Sequence, residues 1–178
     1  MPILTSTEKT AAIEDVEYSY TVTASDEEGN TLTFAATTLP DWLTLVDNSD
    51  GAASLSGTPD NNDVGAHSVV LTVSDAFITV EQSFIITVTA VNDPPIFTST
   101  AITAAIEDLA YSYTVTASDE EGIALTFSAT SPTWLTLLDN GVGSASLSGT
   151  PVNADVGDHP VVLNVTDGTT TVNQSFTL

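Results

Sequence analysis

The feature that most constrains the fold is an internal repeat that runs through nearly the whole chain. Pro2-Ile3-Leu4-Thr5-Ser6-Thr7 returns as Pro95-Ile96-Phe97-Thr98-Ser99-Thr100, and Ala12-Ile13-Glu14-Asp15 returns as Ala105-Ile106-Glu107-Asp108. Tyr18 through Gly29 reappears as Tyr111 through Gly122, with Glu17 before it becoming Ala110. After a one-residue deletion, Trp42-Leu43-Thr44-Leu45 matches Trp134-Leu135-Thr136-Leu137, and Leu55-Ser56-Gly57-Thr58-Pro59 matches Leu147-Ser148-Gly149-Thr150-Pro151. The 178 residues therefore divide into two copies, 1–93 and 94–178, each about the size of a small β-sandwich of roughly 90–100 residues. Leu178 aligns with Ile86, so the second copy has no counterpart of Thr87 to Asp93 and its last strand is expected to be short or frayed.

Within each copy the hydrophobic period is that of strands. Tyr18, Tyr20, Val22 and Ala24 alternate with Ser19, Thr21, Thr23 and Ser25, which places the apolar set on one face. Leu32-Phe34-Ala36, Val69-Leu71-Val73 and Phe84-Ile86-Val88 repeat the pattern between Gly, Pro, Asn and Asp turn signals. No stretch sustains a 3.6-residue period. The expected fold is all-β: two tandem Greek-key sandwiches of about seven strands each, joined end to end by the stiff link Asn92-Asp93-Pro94-Pro95. With no cysteine, each core must hold without disulfides.

Charge narrows the function. Twenty-four Asp and Glu face the single cation Lys9, for a net charge of -23. Nucleic acid is an improbable partner because phosphate binding needs clustered cations, and an anionic membrane surface is disfavoured on the same ground. No apolar run is long enough to span or insert into a membrane, and no leader-like segment follows Met1. The bland account of the charge is a solvated acidic surface. The sharper one is carboxylates that converge on divalent cations. Asp26-Glu27-Glu28-Gly29 and Asp119-Glu120-Glu121-Gly122 each crowd three carboxylates into a turn. Like charges about 4 Å apart repel by roughly 4 kcal/mol at a surface-like dielectric. Calcium is the hard cation that tolerates irregular all-oxygen ligation best.

The Tyr-x-Tyr-Thr-Val-Thr-Ala stretch, the Trp-Leu pair, Leu-Ser-Gly-Thr-Pro followed by Asp63-Val64-Gly65, the strand end Val73-Ser74-Asp75 (Val165-Thr166-Asp167 in the second copy) and the Val91-Asn92-Asp93-Pro94-Pro95 link together resemble the cadherin-like repeat, above all its dystroglycan-type bacterial relatives. The resemblance covers both copies. It implies an Ig-like sandwich and a calcium-binding spacer or adhesion module of a secreted or cell-surface bacterial-type protein. The partners it implies are other repeats of the same array or of a neighbouring cell. By matched position it implies calcium ligands at Glu14, Asp15, Asp63, Asn92, Asp93, Asp119, Glu121 and Asp167, and an equivalent set at Asp26, Glu28 and Asp75 toward a preceding repeat. Ala90 and Pro94 stand where the cadherin link carries further Asp and Asn ligands, so fewer or weaker ions are expected.

Two other readings remain open. Trp42 and Trp134 are candidates for stacking on a sugar ring, which would make the chain a carbohydrate-binding module with a polysaccharide partner; core packing is the competing role for both rings. A strand shortened at the end of the second copy suggests the protomer of an extracellular filament, by strand donation. No enzyme is expected. There is no Gly-x-Ser-x-Gly elbow, His67 and His159 lack the company a zinc site needs, and the acidic pairs sit in polar turns rather than apolar pockets.

Overall fold

The computed structural model describes residues 1–49 and 51–178, and the chain divides into two compact units, Met1–Val91 and Asn92–Leu178. In unit 1 the strands are β1 (Pro2–Leu4), β2 (Ala11–Ile13), β3 (Tyr18–Asp26), β4 (Thr33–Thr38), β5 (Thr44–Asp47), β6 (Ala52–Gly57), β7 (Gly65–Ser74) and β8 (Thr79–Thr89). They form two four-stranded sheets, β1-β3-β6-β5 and β2-β8-β7-β4. In unit 2 the strands are β9 (Ile96–Phe97), β10 (Tyr111–Ser118), β11 (Thr126–Thr130), β12 (Leu135–Gly141), β13 (Ser144–Gly149), β14 (Pro160–Thr166) and β15 (Thr171–Thr177), in the sheets β9-β10-β13-β12 and β11-β14-β15.

The alternation read from sequence sets which side chains go inside. Tyr18, Tyr20 and Val22 of β3 are buried while Ser19 and Thr21 are exposed, and β10 repeats this with Tyr111, Tyr113 and Val115. Val69, Leu71 and Val73 of β7 meet them from the facing sheet, as Val161, Leu163 and Val165 of β14 do in unit 2. Each such aliphatic side chain contributes about 1.5–3 kcal/mol of burial, which is how a small sandwich stands without disulfides.

One polar network crosses between the sheets in both units. In unit 1 Tyr20 Oη donates to Gln82 Oε1 at 3.3 Å and Gln82 Nε2 donates to the Ser6 carbonyl at 3.4 Å. In unit 2 the same two bonds are each 2.9 Å, from Tyr113 to Gln174 and from Gln174 to Ser99. Tyr18 and Tyr111 reach the carbonyls of Lys9 and Ile102 at 2.7 and 2.8 Å, which pins the segment that leads from one sheet toward the other.

The Leu-Ser-Gly-Thr-Pro motif has a steric cause. A Cβ placed on Gly57 would lie 1.8 Å from the Trp42 carbonyl oxygen, and one on Gly149 would lie 2.0 Å from that of Trp134. Only glycine lets these backbones approach so closely.

Unit 1 has eight strands rather than about seven, because the short β2 pairs in parallel with the end of β8. Strand β15, with 7 residues against the 11 of β8, is the shorter one expected, yet it is not frayed. Leu178 exchanges backbone hydrogen bonds with His159 at 2.8 and 2.9 Å.

Candidate metal centre

The candidate ligands lie on loops at strand ends, and each unit presents its own groups. At one end of unit 1, Glu14 follows β2 and is buried; its Oε2 accepts the Val91 amide at 2.8 Å, while its Oε1 has no hydrogen-bond partner. An unpartnered carboxylate oxygen held away from water is costly unless a proton or a cation meets it. Asp15 adopts a left-handed backbone, with φ of 59°, and its amide donates to the Pro59 carbonyl at 3.0 Å. Asp63 closes a capping box, accepting the Asp60 amide at 3.0 Å, so one of its oxygens is engaged in shaping the turn. The Asp63 carbonyl in turn accepts His67 Nε2 at 2.6 Å.

Asp26 ends β3, Glu28 lies in the turn that follows it, and Asp75 follows β7. Asp26 Oδ1 accepts the Asn30 amide at 3.0 Å, in a turn reversed by Gly29 at φ of 72°. The α-ammonium of Met1 lies 2.8 Å from Asp26 Oδ2 and also contacts Glu28 Oε2. These two carboxylates raise the ammonium to about 10, and the ammonium is the first cause holding Asp26 below its ordinary value. Asp75 accepts the Ile78 amide at 2.6 Å and the Phe77 amide at 2.9 Å, and these two donors hold its carboxyl low as well.

Unit 2 builds the equivalent loops, with the link folded onto them. Asp167 Oδ1 accepts the amides of Thr169 and Thr170, each at 2.6 Å. Its Oδ2 accepts Asn92 Nδ2 at 2.8 Å, and its carboxyl is held low, first by the Thr170 amide and then by Asn92. Asn92 thus turns its amide nitrogen, not its oxygen, toward Asp167; ligation through Asn92 would need that amide reversed. The Asp93 amide lies 3.3 and 3.4 Å from the two oxygens of Glu121, and one carboxylate oxygen of Asp93 is within 4.8 Å of one of Glu121. Desolvation first, and then the charges of Asp119 and Asp93, push the Glu121 carboxyl above its ordinary value. Asp119 gives Oδ1 to the Ile123 amide at 3.0 Å, and its Oδ2 is buried without a hydrogen-bond partner. Converging carboxylates, an orphaned buried oxygen and one carboxyl already straining toward its proton fit a hard cation.

The tryptophans take matching positions in both units. Trp42 is half-buried and meets Tyr18 and His67 edge-on, with ring centroids 5.8 and 6.0 Å apart. Trp134 meets Tyr111 and His159 in the same manner, and it lines a groove of about 320 Å³. Sequence reasoning missed Gln82 and Gln174, polar residues at inward positions of otherwise alternating strands, and the pairing of Asn92 with Asp167.

Paired sheets of this connectivity, with β1 and β2 split between them, define a tandem of immunoglobulin-like sandwiches with acidic loops. The chain belongs to the family described as "Putative Ig domain", whose profile matches residues 1–89 and again 94–178. No curated protein matches it. Among solved structures it is similar to an endo-fucoidan hydrolase, MfFcnA4 of glycoside hydrolase family 107 in an H294Q variant, at 33% identity and a TM-score of 0.50, covering 99% of this chain and 28% of that one. It is also similar to human protocadherin-24 EC1-2, at 19% identity and a TM-score of 0.53, covering 99% and 95%, which is a likeness of fold. The chain thus spans just over a quarter of the length of the hydrolase it resembles. Among the described residues no helix is long and apolar enough to cross a membrane.

Proposed function

We propose that this chain is a calcium-stiffened spacer and adhesion module of a larger secreted or cell-surface protein, with no catalytic role of its own. The observation that carries the reading is the pair of buried carboxylate oxygens left without hydrogen bonds, Glu14 Oε1 in unit 1 and Asp119 Oδ2 in unit 2, in a chain of net charge -23. Calcium ligands are proposed at Glu14, Asp15 and Asp63, at Asn92, Asp93, Asp119, Glu121 and Asp167, and in the separate group Asp26, Glu28 and Asp75. The link already rests on unit 2 through Asn92–Asp167 and Asp93–Glu121. A divalent ion there would replace carboxylate repulsion with attraction and hold Asn92 and Asp93 in place. Other repeats of the same array or of a neighbouring cell are the proposed partners.

The likeness to an endo-fucoidan hydrolase supports a second setting, in which such units extend a protein that acts on polysaccharide. Direct sugar contact would fall on Trp134, the ring that lines the open groove.

Extracellular calcium modules bind with Kd of about 0.1–1 mM, and at 100 times Kd one site stabilises the folded state by about 2.7 kcal/mol. Calorimetric titration with calcium, paired with thermal melts in calcium and in EDTA, tests the proposal. Heat of binding and a calcium-dependent rise in Tm are expected; an absence of both with millimolar calcium overturns it.

A further inference from the structure

The connection from β5 to β6 in unit 1 and that from β12 to β13 in unit 2 share their hydrogen bonds and differ at a residue that decides a reaction. In unit 1, Asp47 Oδ1 accepts the Ser49 amide at 2.8 Å and Asn48 Nδ2 donates to Ser54 Oγ at 3.1 Å. In unit 2, Asp139 Oδ1 accepts the Gly141 amide at 2.9 Å and Asn140 Nδ2 donates to Ser146 Oγ at 2.9 Å. The backbone is matched as well, since Ser49 and Gly141 both lie in the left-handed region, with φ of 62° and 69°. What separates the two copies is the residue after the asparagine, Ser49 in one and Gly141 in the other. Asn140 is the one asparagine in the chain that glycine follows.

An asparagine side chain is open to attack by the amide nitrogen of the residue that follows it, which closes a five-membered cyclic imide. A Cβ on that following residue crowds the closing ring, and glycine has none. Asn140 and Gly141 are both exposed, so water reaches the reacting groups. The space beside Gly141 is open, for a Cβ built there would meet nothing within 4 Å. The aspartate and serine contacts are common to both copies and so do not distinguish them.

We propose that Asn140 is a self-modification site, converted through a cyclic imide to aspartate and isoaspartate while Asn48 in the matching connection persists. The Gly141 nitrogen bonds to Asn140 Cγ and releases its proton on the side of Asp139. The bond from Cγ to Nδ2 breaks, and the nitrogen takes up a proton from water and leaves as ammonia. Water then opens the imide. Opening at Cγ gives aspartate on an ordinary backbone, and opening at the Asn140 backbone carbonyl gives isoaspartate, whose chain runs through the former side chain. Either product adds a carboxylate next to Asp139, whose Oδ2 holds the Phe127 amide of the facing sheet at 2.9 Å. Isoaspartate also adds a backbone carbon where the register already shifts between Asp139 and Gly141. Unit 2 thus carries a slow, irreversible mark of elapsed time that unit 1 lacks, with or without calcium.

The test incubates the full chain in mildly alkaline buffer made with heavy-oxygen water, followed by peptide mapping with fragmentation that separates aspartate from isoaspartate. Asn140 is expected to convert at least about tenfold faster than Asn48, with one heavy oxygen in each product. Reciprocal exchanges then isolate the cause. Gly141→Ser should slow Asn140 to about the rate of Asn48, and Ser49→Gly should speed Asn48 by at least about tenfold. Both exchanges preserve the fold, because each copy already carries at that φ the residue given to the other. An intact Asn140 after wild-type incubation, equal rates at Asn140 and Asn48, or an exchange that leaves its rate unmoved would each overturn the proposal.

Discussion

The phenolic hydroxyl of Tyr113 donates to Oε1 of Gln174 at 2.9 Å and so joins β10 to β15 across the two sheets of unit 2. Gln174 passes the connection on to the Ser99 carbonyl at 2.9 Å, and Ser99 Oγ lies 2.8 Å from the same tyrosine hydroxyl. Tyr113→Phe leaves the ring packing intact but takes the donor away from Gln174 Oε1, while Ser99 Oγ keeps its bond to the Thr116 amide at 2.9 Å. A loss of about 1–2 kcal/mol in urea denaturation of the whole chain is expected, larger than for Tyr20→Phe, whose bond to Gln82 is longer at 3.3 Å. Equal losses at both positions would show that the shorter bond in unit 2 contributes no more than the longer one in unit 1.

Gly149→Ala should be the more damaging of two glycine changes. Its Cβ would fall 2.0 Å from the Trp134 carbonyl oxygen, backbone that cannot move without shifting β12, so a loss above about 3 kcal/mol and an exposed Trp134 are expected. Gly122→Ala meets nothing within 4 Å and carries only the cost of its positive φ of 68°, about 1 kcal/mol. Trp fluorescence and thermal melts separate the two.

Glu121 and Asp167 should respond to pH with opposite signs. The Asp167 carboxyl is held below its ordinary 3.8 by the Thr170 amide and Asn92, so its contribution is present at neutral pH and is lost as pH falls below about 4. Glu121 is raised above its ordinary 4.5, chiefly by desolvation; it favours folding when protonated, and that contribution fades as pH rises through its folded value. In EDTA at neutral pH, Glu121→Gln should therefore raise Tm, while Asp167→Asn should lower it and flatten the acid limb of the stability curve.

The same Glu121→Gln variant should respond least to calcium. Removing a carboxylate relieves repulsion in the metal-free protein and deletes a ligand from the loaded one, so the gap between the calcium and EDTA melts should shrink. Unchanged spacing between the two melts would exclude Glu121 from ion binding.

The repeat and the strand period were enough to place Tyr18, Tyr20, Val22, Val69, Leu71 and Val73 in a sandwich core, because alternation on a pleated strand translates directly into facing. The parallel pairing of β2 was hidden: three residues carry no usable period, and their partner lies more than 70 positions away. Gln82 and Gln174 read as ordinary polar residues, since nothing local marks a side chain whose partners come from another sheet. The acidic residues were legible as a population but not one by one. Asp47 and Asp139 spend an oxygen on the Phe34 and Phe127 amides, each at 2.9 Å, and Asp63 and Asp155 close turns, whereas Glu14 and Asp119 keep a buried oxygen unengaged. Sequence spacing does not separate carboxylates that hold a loop from those left open to a ligand.

Among the described residues, each sandwich encloses its own hydrophobic cluster. A gene encoding such units can lengthen or shorten by whole repeats without rebuilding any interior. Repeat number then becomes a property that recombination can adjust in steps, while substitutions in one repeat are judged by that repeat's packing alone.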